Sequence, residues 1–324
     1  MDIYVKKAII HQFSPDDTDL YLADKFLNIT PKIEEYLRKK IERVYSDEAK
    51  TGIFEEDNPF LEMISDDLLE TSVAVANRWK EEFLISENQK TNDLVFIQFS
   101  KEGVDHFAFL RIALRETLTH LGGEVDNPIK LTQNNLPGFG TGADEALVIN
   151  LQSRKYHLIE KRIKYNGTFL NYFSENLLQA QPKISPKKSI KALEKTAQKI
   201  AESFNTDDFQ FQSKVKSAIF NHIEEENKLS PEKLADDLFD DNLTARLSFI
   251  DQVKEAVPEP VTFEEIDASR QLKKFENQKL SLSNGIELIV PNNVYEDAES
   301  VEFILNENGT YSILIKNIED IQSK

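Results

Sequence analysis

Two apolar runs joined by a short polar break dominate the hydrophobic pattern: residues 94–99, Leu-Val-Phe-Ile-Gln-Phe, and residues 104–114, separated by Ser100-Lys101-Glu102-Gly103. β-Branched and aromatic side chains crowd the first run, and a short connection containing Gly reads as a hairpin loop. In the second run, period-two alternation places Phe107, Phe109 and Arg111 on one face and Ala108, Leu110 and Ile112 on the other. Both faces are therefore expected to be covered, which puts the two strands in the middle of a sheet.

Upstream, residues 3–13 alternate loosely and end in Ser14-Pro15-Asp16-Asp17, a strand followed by a turn. Thr30-Pro31 predicts a helix start, with Thr30 as N-cap, and Ile33, Tyr36, Leu37, Ile41 and Val44 share one face. Arg38, Lys39, Lys40 and Arg43 lie largely off that face and are expected to be solvated, within reach of Glu34, Glu35 and Glu42. Residues 59–85 predict two helices, with Trp79 and Phe83 on the core side. Residues 122–144 hold Asn-Pro, Asn-Asn and Pro-Gly pairs and Gly138-Phe139-Gly140-Thr141-Gly142. A phosphate cradle needs a strand before the glycines and a helix straight after them, so a mobile surface loop is expected instead. Two strands over 147–163 turn at Arg154-Lys155, and a helix presenting Phe169, Tyr172, Phe173 and Leu177 closes this part.

After a linker at 179–185 the period changes to that of helices. Ser185-Pro186 opens one whose apolar side is Ile190, Leu193, Ala197, Ile200 and Phe204. Further helices are expected over 211–226, 231–239 and 243–257, and Thr262 with Glu265 reads as a capping box. Strands follow at 280–282, 286–290, 301–305 and 310–315, the last two joined by Asn308-Gly309 as a type I′ turn. The expected fold is α+β, with an N-terminal mixed sheet and packed helices (1–180), a central helical region (181–257) and a small C-terminal α+β module ending in an antiparallel sheet (258–324).

At 324 residues and 40% hydrophobic content the chain can bury a sizeable core. No run approaches the roughly 18 apolar residues of a membrane span, and the opening residues are too polar for a signal peptide, so a cytoplasmic protein is expected. Absence of cysteine excludes disulfides, thiolate metal sites and thiol nucleophiles. The net charge of −18 opposes a simple nucleic-acid coat. That average conceals a segregation: residues 150–200 hold eleven Lys and Arg against three acids, a local +8 that leaves −26 on the rest. The basic residues are Arg154, Lys155, Lys161, Arg162, Lys164, Lys183, Lys187, Lys188, Lys191, Lys195 and Lys199. Lys187, Lys191, Lys195 and Lys199 recur every four residues, with Lys188 beside them, an arrangement that costs a helix a few tenths of a kcal/mol per like-charged pair. Such a stripe reads either as a solubilising face or as a surface for an anionic partner, DNA or an acidic protein.

No metal, cofactor or catalytic set is expected. His11, His106, His120, His157 and His222 show no paired metal spacing, and no Walker loop, nucleophile elbow or zinc signature occurs. Glu226-Asn227-Lys228 has the acid-to-lysine spacing of some metal-dependent nucleases, a pattern that a chain with 30% charged residues also generates by chance.

Ala8-Ile9-Ile10-His11-Gln12, Arg43-Val44-Tyr45-Ser46 with Gly52-Ile53-Phe54, and the terminal Gly285-Ile286-Glu287-Leu288 through Asn308-Gly309-Thr310 together resemble the bacterial NdpA/YejK nucleoid-associated protein family over nearly the whole chain. The resemblance implies a cytoplasmic, non-enzymatic protein of the bacterial nucleoid, with DNA and a type II topoisomerase as partners. Two readings follow. In one, the 150–200 region meets DNA directly; in the other, the acidic remainder makes the protein an adaptor that reaches the nucleoid through a basic partner.

Overall fold

A computed structural model describes residues 2–322 apart from 88, 121–128, 207 and 264. It divides into two compact units, Met1–Ser185 and Pro186–Lys324.

The first unit contains, in chain order, β1 (Ile3–Ser14), β2 (Asp19–Tyr21), α1 (Pro31–Glu42), β3 (Lys50–Ile53), the one-turn α2 (Pro59–Glu62), α3 (Leu68–Phe83), β4 (Asn92–Lys101), β5 (Val104–Ala113), β6 (Arg115–His120), β7 (Ile129–Asn135), β8 (Glu145–Asn150), β9 (Lys155–Ile159), β10 (Ile163–Tyr165), β11 (Thr168–Leu170) and a π-helical turn, Phe173–Leu177. Seven strands form one sheet in the order β2-β1-β4-β5-β8-β9-β3. The two apolar runs are thus its third and fourth strands, inside the sheet as their pattern requires. Phe96, Phe107, Phe109, Leu147 and Ile149 face Trp79 and Phe83 of α3, whereas Val95, Ile97, Ala108, Leu110 and Ile112 face Leu37 and Ile41 of α1. Because Phe96, Phe107 and Phe109 lie on one face and Val95, Ile97, Ala108 and Leu110 on the other, a one-residue slip would mismatch both layers. Phe96 and Phe109, directly paired across the strands, stack at 4.8 Å.

Several expectations change. The sheet is antiparallel in every described pairing rather than mixed. The supposed loop at 122–144 contains β7, which pairs with β6 as a separate ribbon. The Asn127-Pro128 pair lies outside the described residues. Phe169 belongs to β11, not to a helix. Asn166 and Gly167 both have positive φ, 48° and 76°, and so close a tight β10–β11 hairpin. Lys40, expected on a solvated face, is buried: its Nζ donates to the carbonyls of Pro137 at 3.4 Å, Gly138 at 2.9 Å and Thr141 at 2.5 Å. Its neighbours behave as expected, Lys39 pairing with Glu35 and Arg38 with Glu42, each at 3.4 Å.

In the second unit lie α4 (Pro186–Ser203), α5 (Phe209–Glu226), β12 (Lys228–Leu229), α6 (Pro231–Leu238), α7 (Leu243–Ala256), β13 (Val261–Thr262), α8 (Ser269–Phe275), β14 (Asn277–Ser281), β15 (Glu287–Pro291), α9 (Asn292–Tyr295), β16 (Val301–Leu305) and β17 (Tyr311–Ile315). One core joins Leu193, Ile219, Leu234 and Phe249 to Val261, Phe263 and Phe275, so it runs across position 257. Thr262 caps no helix; it sits in β13 opposite Lys228. The chain ends in two separate hairpins, β14–β15 and β16–β17, rather than one sheet. Of Asn308-Gly309, only Gly309 is left-handed, at φ 79°. Its N–H donates to Asn306 O at 2.9 Å, a type I turn with a glycine bulge in place of type I′.

Candidate nucleic-acid interface

Helix α4 begins at Pro186, where a missing N–H is harmless, and buries Ile190, Leu193, Ala197, Ile200 and Ala201. Burial of that stripe leaves Lys187, Lys188, Lys191, Lys195 and Lys199 exposed on the opposite side. Four-residue spacing advances the stripe by about 40° per step, so it slants along roughly 18 Å of helix. The helix's own acids do not neutralise it. Glu194 is drawn to Lys274 of α8 at 3.1 Å, and Glu202 accepts from Gln198 at 3.3 Å. Among the described residues no carboxylate lies within salt-bridge reach of Lys188, Lys191 or Lys195, and Lys199 donates to the neutral Gln252 side chain at 3.0 Å.

The other half of the basic run belongs to the first unit, and much of it is already paired. Arg154 meets Glu56 at 3.1 Å, Lys161 meets Asp144 at 2.6 Å, and Lys164 meets Glu87 at 3.2 Å. The Lys164 contact and a backbone N–H hold the Glu87 carboxyl below the usual carboxylate range. Arg162 lies over the Phe169 ring, 5.8 Å from its centre. Lys155 and Lys183 are exposed, and Lys183 bridges to β3 through its N–H, 2.7 Å from Thr51 O. The +8 segment is therefore divided at position 185 between two units, and on α4 the lysines with no carboxylate in reach among the described residues are Lys188, Lys191 and Lys195.

A further cationic cluster escaped the periodicity argument. Burial, together with Arg43 and Arg115 nearby, pushes the Lys40 ammonium down to about 8. The three carbonyls that hold it come from the Pro137–Thr141 stretch.

The acidic surface of the second unit has its own relief. A cleft of about 530 Å³ is lined by Glu225, Glu226, Asp236, Asp237 and Glu296, which outnumber Lys214 and Lys233 there, beside His222, whose Nε2 is 2.7 Å from Asp237. The nuclease-like triplet is the C-terminus of α5: Asn227 is its left-handed cap at φ 50°, and Glu226 is tied to Lys233 at 2.5 Å. Among the described residues no group of three or more His, Asp or Glu side chains is placed to hold a metal ion, and no helix is long and apolar enough to cross a membrane.

Both units and the basic helix fall within one family of chromosome-associated proteins. The family model described as nucleoid-associated protein YejK matches residues 9–321, and the chain belongs to that family. No curated protein matches the chain.

Proposed function

We propose that this protein meets DNA directly through α4, as a non-enzymatic component of the bacterial nucleoid, without strong sequence preference. The observation that carries the reading is that, among the described residues, exposed Lys188, Lys191 and Lys195 have no carboxylate within salt-bridge reach while the adjacent Glu194 is turned toward Lys274. Lysine supplies point charges that suit phosphates and reads no base edge, so affinity comes from counterion release. The net charge of −18 opposes phosphate at long range and keeps the complex weak. If about five lysines meet phosphate, log affinity falls against log salt with a slope of roughly −4 to −5. Reversing Lys187, Lys191, Lys195 and Lys199 to Glu abolishes the shift of DNA at moderate salt, whereas reversing Lys161 and Lys164, already paired, changes it little. A flat salt response, or binding unaltered by the α4 reversals, removes the proposal.

The cleft of carboxylates between α5 and α6 favours a second reading, in which a basic protein surface, such as a subunit of a type II topoisomerase, docks there and carries the protein to the chromosome. The same salt series run with and without that subunit separates the two. Under the second reading DNA shifts only when the subunit is present, and the α4 reversals are silent.

A further inference from the structure

Among the described residues no strand pairs with the outer edge of β17, whose Tyr311 ring packs on Phe209 of α5 at 5.2 Å. The strand pairs with β16 alone, in the register Leu305↔Tyr311, Phe303↔Ile313 and Val301↔Ile315. Asn306 N donates to Thr310 O at 2.8 Å where the hairpin turns, and Lys316 N donates to Ser300 O at 2.9 Å at its base. Bonded and non-bonded pairs alternate along an antiparallel ladder. Counted from either end, Ser312 and Leu314 therefore direct N–H and C=O toward β16, while Tyr311, Ile313 and Ile315 direct theirs away. The outer edge of β16 differs: Val301 is buried and already donates its N–H to Asp297 O at 3.0 Å.

Devices that usually protect such an edge are missing from β17. Residues 310–315 read Thr-Tyr-Ser-Ile-Leu-Ile, with no charge, proline or extra residue. Tyr311, Leu314 and Ile315 are 51, 47 and 49% exposed, and Leu305 across the hairpin is 63% exposed.

We propose that a second copy of this chain pairs with β17, strand against strand, about a two-fold axis at Ile313. Antiparallel register sets Ile313 opposite its counterpart and Tyr311 opposite Ile315 of the second copy, an aromatic and β-branched pairing that sheets favour. Each of the outward residues exchanges both backbone bonds with its opposite number, about six in all. The same patch serves both copies, as a closed dimer requires. With Leu305, Tyr311, Leu314 and Ile315, the edge offers on the order of 500 Å² per copy, against roughly 800 Å² for a standard interface, so the dimer is weak and concentration-dependent.

Sedimentation velocity of the full chain from about 1 to about 200 µM reads the association, and hydrogen exchange over the same range reads the edge. The amides of Tyr311, Ile313 and Ile315 slow as concentration rises, while those of Ser312 and Leu314 stay protected throughout. Ile313→Pro deletes an outward N–H without breaking a ladder bond inside the hairpin, and is expected to weaken association at least about tenfold. Tyr311→Lys and Ile315→Glu each weaken it too. Combined in one chain they restore it, because every lysine then faces a glutamate of the other copy. Protected Ser312 and Leu314 amides show that the hairpin survives in each variant; a variant that loses them is replaced in the comparison by the remaining ones. A chain monomeric throughout with freely exchanging outward amides overturns the proposal. So does a dimer indifferent to Ile313→Pro, or a double variant no better than its singles.

Discussion

A buried ammonium is tolerated only where other dipoles replace its water, and Lys40 has three carbonyls from the Pro137–Thr141 stretch in that role. Its ordinary value of 10.5 falls to about 8, through burial first and then through Arg43 and Arg115. Between those two values the unfolded chain holds a proton that the folded chain has released, so stability rises with pH across that window; below about 8 both states are charged and the burial cost is present in full. Lys40→Met removes the titration. The stability difference between wild type and Lys40→Met is expected to move in favour of the wild type by on the order of 2 kcal/mol between pH 7.5 and 10. Thermal unfolding at a series of pH values measures it, and a difference that does not change with pH rejects the shifted lysine. The sequence reading misses this burial because it takes a lysine as solvated by residue type, although positions 36, 40 and 44 follow one another at four-residue spacing on the packing side of the helix and Lys40 Nζ lies 4.3 Å from the centre of the Tyr36 ring. What the sequence does not carry is the return of the 137–141 stretch, about a hundred positions later, to cover that side and supply the carbonyls.

Among elements, the clearest tie is polar. Arg111 of β5 donates through Nε to Glu145 of β8 at 2.5 Å and through Nη1 to Asn92 of β4 at 2.9 Å; Glu145 also accepts from Tyr172, whose oxygen takes the indole N–H of Trp79 at 3.1 Å. Three strands, α3 and the chain entering the π-helical turn are thus fixed by one buried network. Burial and the nearby Glu145 charge hold the Tyr172 hydroxyl well above its ordinary value, so it remains the donor in that contact. Arg111→Met leaves the fully buried Glu145 without its counter-charge and is expected to cost about 3–5 kcal/mol, read as a fall in denaturant midpoint. Arg111→Met with Glu145→Leu recovers part of that loss; a single variant as stable as wild type would show the pair to be dispensable. Elements with strong alternation or strong period, β1, β4, β5, α1, α3 and α4, could be read from the sequence because burial on defined faces decides them. The two Asn-Gly pairs show where reading stopped. Asn166-Gly167 makes the tight turn that its dipeptide favours, whereas at Asn308-Gly309 the turn begins two residues earlier and only the glycine is left-handed. Loop length selects the turn, and loop length is fixed by strand register, which a dipeptide does not carry.

At the scale of the whole molecule, charge segregation was legible as a number but not as a surface. The sequence places eleven cations within residues 150–200, and ion pairs to Glu56, Asp144 and Glu87, distant in sequence or on neighbouring strands, then neutralise part of that run. What survives is the α4 stripe, and it lies in the same unit as β17. Association through β17 would put two stripes in one particle, so binding of the second to a duplex becomes intramolecular and its counterion release adds to the first. If both stripes reach one DNA, the salt slope steepens from roughly −4.5 for a single copy toward about −9 above the dimerisation concentration. Ile313→Pro, with α4 untouched, is expected to return the slope to the single-copy value and to remove its dependence on protein concentration. Fluorescence anisotropy of a labelled duplex between about 50 and 200 mM salt, at protein concentrations on either side of the dimerisation midpoint, measures both. A slope equal in wild type and variant, with dimer present in the former, would mean that the two stripes face different duplexes, and the particle would then join DNA segments instead of gripping one.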